Sequence, residues 1–137
     1  MTAKDKTVLV VDDEAAMRTM AVKLVESRGY RTLTASSGTE ALETLKGNPV
    51  DLMVLDVVMP GLDGLQTIEE ARKLGFGNVP VVLLTAQKER EDVLGGYRKG
   101  AVLYITKPLK PSHLLNAVDY LIGDLSPQER QELELRL

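Results

Sequence analysis

The sequence predicts an α/β fold, namely a single doubly wound, five-stranded parallel sheet with five flanking helices. Short apolar runs of strand length occur at residues 8–11, 52–55, 81–84 and 102–105, and helical patterns lie between them. Continuous apolar runs are typical of strands covered on both faces. Regular alternation of strand and helix indicates parallel strands joined by right-handed crossovers, with helices on both sides of the sheet.

The second strand differs from the others and sets the predicted strand order. In Arg31–Ala35, Leu33 and Ala35 alternate with Thr32 and Thr34. Alternation indicates that one face is less buried, so we expect this strand at an edge of the sheet. With the second strand at an edge, the flavodoxin-like order 2-1-3-4-5 fits best. We adopt this order from known doubly wound sheets and do not derive it from the spacing.

Two helices are predicted before the third strand. The first has an apolar stripe at i, i+3, i+4 and i+7, which we expect to face the core. The stripe consists of Met17, Met20, Ala21 and Leu24. The second begins at Ser37, and Glu40 stands three residues later, which predicts a reciprocal capping box.

Three helices are predicted in the second half of the domain. One begins at Asp63, which we interpret only as a helix cap, and another covers residues 89–99. The last covers Pro111–Ile122, with proline in a tolerated first-turn position. Gly95-Gly96 would weaken the helix over 89–99 by about 1 kcal/mol per glycine relative to alanine. The pair therefore indicates either an easily rearranged helix or close packing against a neighbour.

We expect residues 1–123 to form one domain and residues 124–137 to form a C-terminal tail. Ser126, Pro127 and Glu129 predict the start of a short helix over 128–137, with an ion pair between Glu132 and Arg136. A frayed end is an equally good interpretation, because isolated helices of this length are marginal. If the tail is functional, it is a linker to an output domain or to a partner.

Composition excludes several classes of function. The chain has 137 residues with no cysteine and one histidine, so disulfides, thiolate sites and multi-histidine metal sites are excluded. The single histidine, His113, is expected on a helix surface. A net charge of −3, without a clustered basic face, argues against direct binding of nucleic acid. No apolar run approaches a membrane span, and we expect a cytoplasmic protein with no membrane partner.

Polar residues follow four of the predicted strands. They are Asp12, Asp13 and Glu14 after the first strand, Asp56 after the third, Thr85 and Ala86 after the fourth, and Thr106, Lys107 and Pro108 after the fifth. The carboxyl ends of parallel strands lie at one edge of the sheet, and ligands bind there where the strand order reverses. That point lies between the first and third strands, so three carboxylates, a hydroxyl and an ammonium should converge.

The charges of this cluster predict its chemistry. Asp12, Asp13 and Asp56 would repel one another unless a cation compensated. With only oxygen ligands available, a hard cation such as Mg²⁺ suits the site best. Lys107 would add a second positive charge. Such a site can attract a phosphoryl dianion and stabilise charge during its transfer.

These segments resemble the signatures of response-regulator receiver domains, which are phosphorylation switches of two-component systems. The matching segments are Asp12-Asp13-Glu14, Leu55-Asp56-Val57-Val58-Met59-Pro60-Gly61-Leu62-Asp63-Gly64, Leu84-Thr85-Ala86 and Tyr104-Ile105-Thr106-Lys107-Pro108. They occur in the family's order and spacing, and the resemblance covers residues 5–122. One segment alone would be weak, but the joint match is specific.

The resemblance implies how phosphate and metal would be held. Asp56 would be the nucleophile and form an aspartyl phosphate. Asp13 and Asp56 would bind Mg²⁺ directly, Asp12 would act mostly through water, and the backbone carbonyl of Val58 would complete the protein ligands. Mn²⁺ would be an acceptable substitute. An apolar Val58 cannot orient an attacking water, which predicts a long-lived phosphoryl group.

The resemblance also implies a switch. Lys107, Thr85 and Ala86 would bind the phosphoryl oxygens, and Thr85 would move toward them. Tyr104 would turn inward with Thr85, which would change the surface formed by the helix over 89–99, the fifth strand and the helix over Pro111–Ile122. We call this surface the switch face. The Lys107–Pro108 bond is expected to be cis.

The implied partners are a sensor histidine kinase or a phosphotransfer protein as donor, and a downstream partner or output domain at the switch face. A homodimer through that face is a further option. The domain would catalyse only its own phosphorylation and dephosphorylation, so it would not be an enzyme in the usual sense. One rival is a non-phosphorylated interaction module of the same fold. Another is an aspartate-dependent phosphatase or phosphotransferase, which would need a second acid–base carboxylate and a cap.

Overall fold

The protein is described from a computed structural model, which covers residues 5–86 and 102–137. The strands are β1 (Thr7–Val11), β2 (Arg31–Ala35), β3 (Leu52–Asp56), β4 (Val81–Thr85) and β5 (Val102–Thr106). The helices are α1 (Ala15–Ser27), α2 (Gly38–Gly47), α3 (Gly64–Lys73), α4 (Pro111–Ile122) and α5 (Pro127–Glu134). The helix predicted over 89–99, with Gly95-Gly96, lies outside the described residues.

The sheet confirms the predicted fold. All five strands are parallel and their order is β2-β1-β3-β4-β5. Every residue of β3 and β4 is buried, whereas β2 lies at the edge and is mostly half-buried or exposed. In the pairing register, Asp56 lies beside Leu84 and Thr85 lies beside Thr106. The carboxyl ends of the strands therefore finish at one edge of the sheet.

Side chains on the two faces of the sheet form two separate core layers. Residues of the central strands alternate between the layers, as the two-residue period of a strand requires. Leu9, Val11, Met53 and Leu55 face α2 and α3, where they pack with Ala41, Leu45, Leu65 and Ile68. Val8, Val10, Val54 and Val82 face α1 and α4, where they pack with Ala21, Val25, Leu114 and Val118. The sheet is thus covered on both sides.

The predicted face of α1 is wrong at one position. Met20 is 37% exposed, and the buried residues of the helix are Ala21 and Val25. The stripe that meets the sheet is therefore centred on Ala21 and Val25, four residues apart. Met20 points to the solvent side, about 100° around the helix from Ala21 and about 140° from Val25. Met17 and Leu24 are half-buried at its margins.

The predicted helix caps are mostly confirmed. Asp63 caps α3 in a reciprocal capping box with Gln66. At α2, the Ser37 hydroxyl accepts the Glu40 amide as predicted, but the reciprocal bond is absent. The Glu40 carboxylate instead accepts from the amide and hydroxyl of Ser36, one residue earlier, because that residue offers it two donors.

The C-terminal tail forms α5, which packs against α4. Ser126 and Glu129 make the predicted capping box. The helix ends at Glu134, before Arg136, so the predicted pair of Glu132 with Arg136 is not held on one helical face. No helix in the described part of the chain has the length and apolar character needed to cross a membrane.

Candidate functional site

The strand ends bring together the predicted site residues. Asp56 is the last residue of β3, Thr85 is the last residue of β4, and Lys107 follows β5. Asp12 and Asp13 come directly after β1, which is the neighbour of β3 in the sheet. The site therefore lies where the chain order reverses between β1 and β3, as predicted from the sequence.

The three carboxylates form a compact acidic cluster. One oxygen from each of Asp12, Asp13 and Asp56 lies within 4.8 Å of the other two. Asp12 is 1% exposed and Asp56 is 4% exposed, whereas Asp13 is exposed to solvent. The cluster thus has two buried acids and one acid at its mouth.

Lys107 supplies the positive charge on the other side of Asp56. Its Nζ lies 3.3 Å from Asp56 Oδ2, and the lysine side chain is mostly buried. The Lys107 amide donates to the carbonyl of Thr85 at 2.7 Å, which fixes the start of the loop beside β4. The Lys107–Pro108 peptide bond is cis, as expected. Lys107 and Thr85 therefore lie on the same side of Asp56.

Burial and like charges perturb the two buried acids. Burial raises the pKa of the Asp12 carboxyl. The Glu14 amide opposes this shift, and the charge of Asp56 adds to it. Burial likewise raises the pKa of Asp56, although the ammonium of Lys107 opposes that shift. Neighbouring positive charge therefore does not fully compensate these carboxylates.

The donor set fits a hard divalent cation. Asp12 Oδ1 accepts the Glu14 amide at 2.9 Å, while Asp12 Oδ2 is buried and has no hydrogen-bond partner among the residues that the structure describes. A buried carboxylate oxygen without a partner is costly, and a cation with its waters would satisfy it. An all-oxygen cluster with an exposed member is what Mg²⁺ prefers, because this ion keeps several waters. The arrangement therefore has the chemistry of a magnesium site.

The loop after Asp56 closes one side of the site. The Val58 amide lies 3.3 Å from Asp56 Oδ1, and the Val58 side chain is 60% exposed. Val57, in contrast, is completely buried. The chain returns to Asp56 at Gly64, where a Cβ would lie 2.5 Å from the Asp56 carbonyl oxygen. Glycine is therefore required for this close approach.

The remaining predicted residues lie at the edge of the site. Thr85 is buried, Ala86 is exposed, and Tyr104 is half-buried against the core layer of α2 and α3. His113 is exposed on α4, as expected. Of the switch face, the structure describes β5 and α4.

Sequence reasoning missed Arg18 and the packing role of Gly64. Arg18 lies in the first turns of α1 and donates to the carbonyl oxygen of Asp12 at 2.7 Å. Its position six residues after Asp12, on a helix that starts beside the acidic pair, was the available signal. Without coordinates, however, an arginine there cannot be distinguished from a solvated one.

Comparison with known proteins agrees with this geometry. Residues 8–119 match the family model described as the response regulator receiver domain. Over 109 residues the chain is 42% identical to the alkaline phosphatase synthesis transcriptional regulatory protein PhoP of Bacillus subtilis, covering 78% of this chain and 44% of that protein. It is 34% identical over 129 residues to the phosphate regulon transcriptional regulatory protein PhoB of Escherichia coli, covering 93% and 56%.

A solved structure shows the same similarity. The response regulator protein TrrA of Thermotoga maritima, crystallised in complex with Mg²⁺ and BeF, superposes with a TM-score of 0.76 at 32% identity. The match covers 85% of this chain and 99% of that one. The chain spans about half the length of the curated relatives it matches. Its sequence, its sheet order and its acidic cluster all agree, and the chain belongs to the response regulator receiver domain family of two-component signalling proteins.

Proposed function

We propose that this chain is a phosphorylation switch in which Asp56 accepts a phosphoryl group from a phosphohistidine. The donor is a sensor histidine kinase or a phosphotransfer protein. The observation that carries the proposal is the setting of Asp56. It is a buried acid with an ammonium at 3.3 Å on one side and two further carboxylates within 4.8 Å on the other.

The transfer itself needs one nucleophile and charge stabilisation. A carboxylate oxygen of Asp56 attacks phosphorus, the P–N bond of the donor breaks, and the imidazole leaves with the bonding electron pair. The donor reacts with its second ring nitrogen protonated, so neutral imidazole leaves and no general acid from this chain is required. Because the attacking group is already a carboxylate, no general base is required either. Lys107 neutralises charge on the phosphoryl oxygens as the group arrives.

A bound divalent cation would neutralise the acidic cluster and the phosphoryl oxygens together. Asp13 and Asp56 would hold it directly, with the backbone carbonyl of Val58, and Asp12 would act through water. Mg²⁺ is the natural ion for this donor set, and Mn²⁺ would be an acceptable substitute. Mg²⁺ is a part of the TrrA complex, which has the same fold.

The residues around Asp56 favour a switch over a hydrolase. Val57 and Val58 follow the nucleophile, one buried and one exposed, so neither supplies an acid–base carboxylate. An apolar Val58 also leaves no side chain to orient a hydrolytic water. We therefore propose that the phosphoryl group persists long enough to be read by a partner.

The signal would leave through the switch face. Thr85 and Ala86 would bind the phosphoryl oxygens, and Tyr104 on β5 would respond to the movement of Thr85. A downstream partner, an output domain or a second copy of the chain would then bind β5, α4 and the helix predicted over 89–99. PhoP and PhoB are transcriptional regulators by name, which supports an output domain of that class.

The test is phosphorylation of the full chain with acetyl phosphate and Mg²⁺. Intact-mass spectrometry should show one added phosphoryl group in the wild type and none in Asp56→Asn. Asp63→Asn is the matched control, because Asp63 only caps α3 and asparagine caps equally well. An adduct that survives Asp56→Asn, or no adduct in the wild type with either acetyl phosphate or a cognate kinase, would contradict the proposal.

A further inference from the structure

We propose that Arg18 is a positioning residue for the cation site, because it holds the peptide unit between Asp12 and Asp13. This inference rests on the proposed function and adds a residue outside the four segments that resemble the receiver signatures. Arg18 does not touch the acidic oxygens. It acts on the main chain that presents them.

The contacts around Asp12 show how its backbone is held from both sides. Its amide donates to the carbonyl of Ala35 at 3.2 Å, at the end of the β1–β2 pairing. Its carbonyl oxygen accepts from a guanidinium nitrogen of Arg18 at 2.7 Å. The amide of Arg18 in turn donates to the carbonyl of Glu14 at 3.1 Å, so the arginine is anchored in the first turn of α1.

Asp13 needs this support more than its two partners do. Asp12 and Asp56 are buried, and each accepts a backbone amide that orients its carboxylate. Asp13 is exposed, and within the described residues no hydrogen bond fixes its side chain. The carbonyl of Asp12 and the amide of Asp13 belong to one planar peptide unit. Arg18 therefore fixes the direction in which the chain enters Asp13.

The choice of a carbonyl as acceptor is also informative. An arginine paired with Asp12 or Asp13 directly would occupy the oxygens that a cation requires. Arg18 instead leaves the acidic oxygens available and orients the backbone behind them. Outer-shell groups of this kind typically change metal affinity by a factor of about 10–100 when they are removed.

The test measures Mg²⁺ affinity of the full chain, without any phosphoryl donor, by calorimetric titration. Arg18→Met removes the guanidinium donors but keeps an unbranched apolar side chain in place of the arginine stem, and it should weaken Mg²⁺ binding about tenfold. Arg18→Lys returns a donor and should recover part of the loss. Lys23→Met is the matched control, because Lys23 is exposed on the same helix and the change in charge is identical. It should bind like the wild type.

A second readout distinguishes positioning from a general structural effect. The backbone amide resonance of Asp13 should move in metal-free Arg18→Met and remain in place in Lys23→Met, while the urea midpoints stay close to that of the wild type. If Arg18→Met does not fold, Arg18→Gln takes its place, because glutamine is too short to reach the same oxygen.

Two kinds of failure can be told apart. Equal Mg²⁺ affinity in Arg18→Met and Lys23→Met would overturn the role of Arg18 and leave the metal site intact. Loss of affinity in both variants would attribute the effect to a general change in α1 and would also overturn it, because the loss of a positive charge should by itself favour Mg²⁺ binding. If the wild type itself does not bind Mg²⁺, or binds it equally after Asp56→Asn, the proposed function fails and this inference falls with it.

Discussion

Replacing Asp12 by asparagine should stabilise the metal-free protein near neutral pH. The Asp12 and Asp56 carboxylates have oxygens within 4.8 Å, and both side chains are buried. Two unit charges at that distance repel by about 3 kcal/mol at an effective dielectric constant of about 20. Asparagine removes this repulsion, keeps an oxygen for the Glu14 amide and can direct its NH₂ toward Asp56 in place of the unpartnered oxygen.

The net gain should be smaller than the repulsion, because the attraction between Asp12 and Lys107 is lost as well. We expect about 2 kcal/mol in the free energy of unfolding. With an m-value of about 2 kcal/mol/M, this gain raises the urea midpoint by about 1 M. Asp124→Asn, in the exposed start of the tail, is the matched control and should leave the midpoint within about 0.3 M of the wild type.

The dependence on pH identifies the cause. Burial and the charge of Asp56 raise the pKa of Asp12 in the folded protein above its value in the unfolded chain. Above the folded pKa the carboxyl is ionised in both states, so the whole destabilisation is present. As the pH falls through the folded pKa, the folded state binds a proton before the unfolded state does, and the wild type gains stability. The advantage of Asp12→Asn should therefore shrink on acidification.

Mg²⁺ should reduce the advantage of Asp12→Asn. A ligand at 100 times its dissociation constant stabilises the folded state by about 2.7 kcal/mol, and the asparagine variant, which lacks one acidic group, should gain less. The reasoning is refuted if Asp12→Asn is no more stable than the wild type without Mg²⁺. It is equally refuted if the difference in midpoint is the same at neutral and acidic pH.

Three further predictions concern other parts of the chain. Val58→Asn should shorten the lifetime of the phosphoryl group about tenfold, a change of about 1.4 kcal/mol in the barrier, because the amide can orient a water. Radiolabel decay measures this lifetime, and an unchanged value would contradict the prediction. Gly38→Ala should lower the free energy of unfolding by about 1–3 kcal/mol, because a Cβ there would lie 2.2 Å from a buried threonine hydroxyl. Gly47→Ala, with nothing within 4 Å, should cost nothing and serves as its control. Arg130→Ala removes the hydrogen bond to the Tyr120 carbonyl and a cation–π contact at 5.1 Å, so hydrogen exchange in α5 should become faster. The free energy of unfolding of the whole protein should fall by at most about 1–2 kcal/mol. Unchanged exchange in α5 would show that other contacts hold the helix.

Most of the fold could be predicted because it depends on local periodicity. The buried strands read as continuous apolar runs, and β2 alternates because it lies at the edge. Capping signals at Asp63 and Ser126 depend on residues only three positions apart, and both caps formed. The acidic site followed from the strand order adopted from known doubly wound sheets, because parallel strands end at one edge and that order makes β1 and β3 neighbours.

Long-range side-chain contacts could not be predicted in this way. Asp119 on α4 accepts the Tyr30 hydroxyl at 2.7 Å and forms an ion pair with Arg28, although about 90 residues separate it from both. Burial and the neighbouring carboxylate raise the pKa of the Tyr30 hydroxyl. Nothing in the local sequence indicates these partners. Their pairing depends on how α4 packs against the end of α1. That packing is determined by the combined volumes of the side chains between the two helices.

The buried carboxylates of Asp12 and Asp56 favour cation binding but lower the stability of the metal-free fold. The register of β1 and β3 places Asp12 and Asp56 together in a buried position, which raises the pKa of both acids and destabilises the metal-free domain. That destabilisation is also the free energy that a cation would recover on binding. A substitution that removes a carboxylate should therefore stabilise the fold and weaken cation binding by the same electrostatic cause. The proposed role of Arg18 is consistent with both effects, because Arg18 orients the backbone of Asp12 without pairing with the carboxylates that the cation needs.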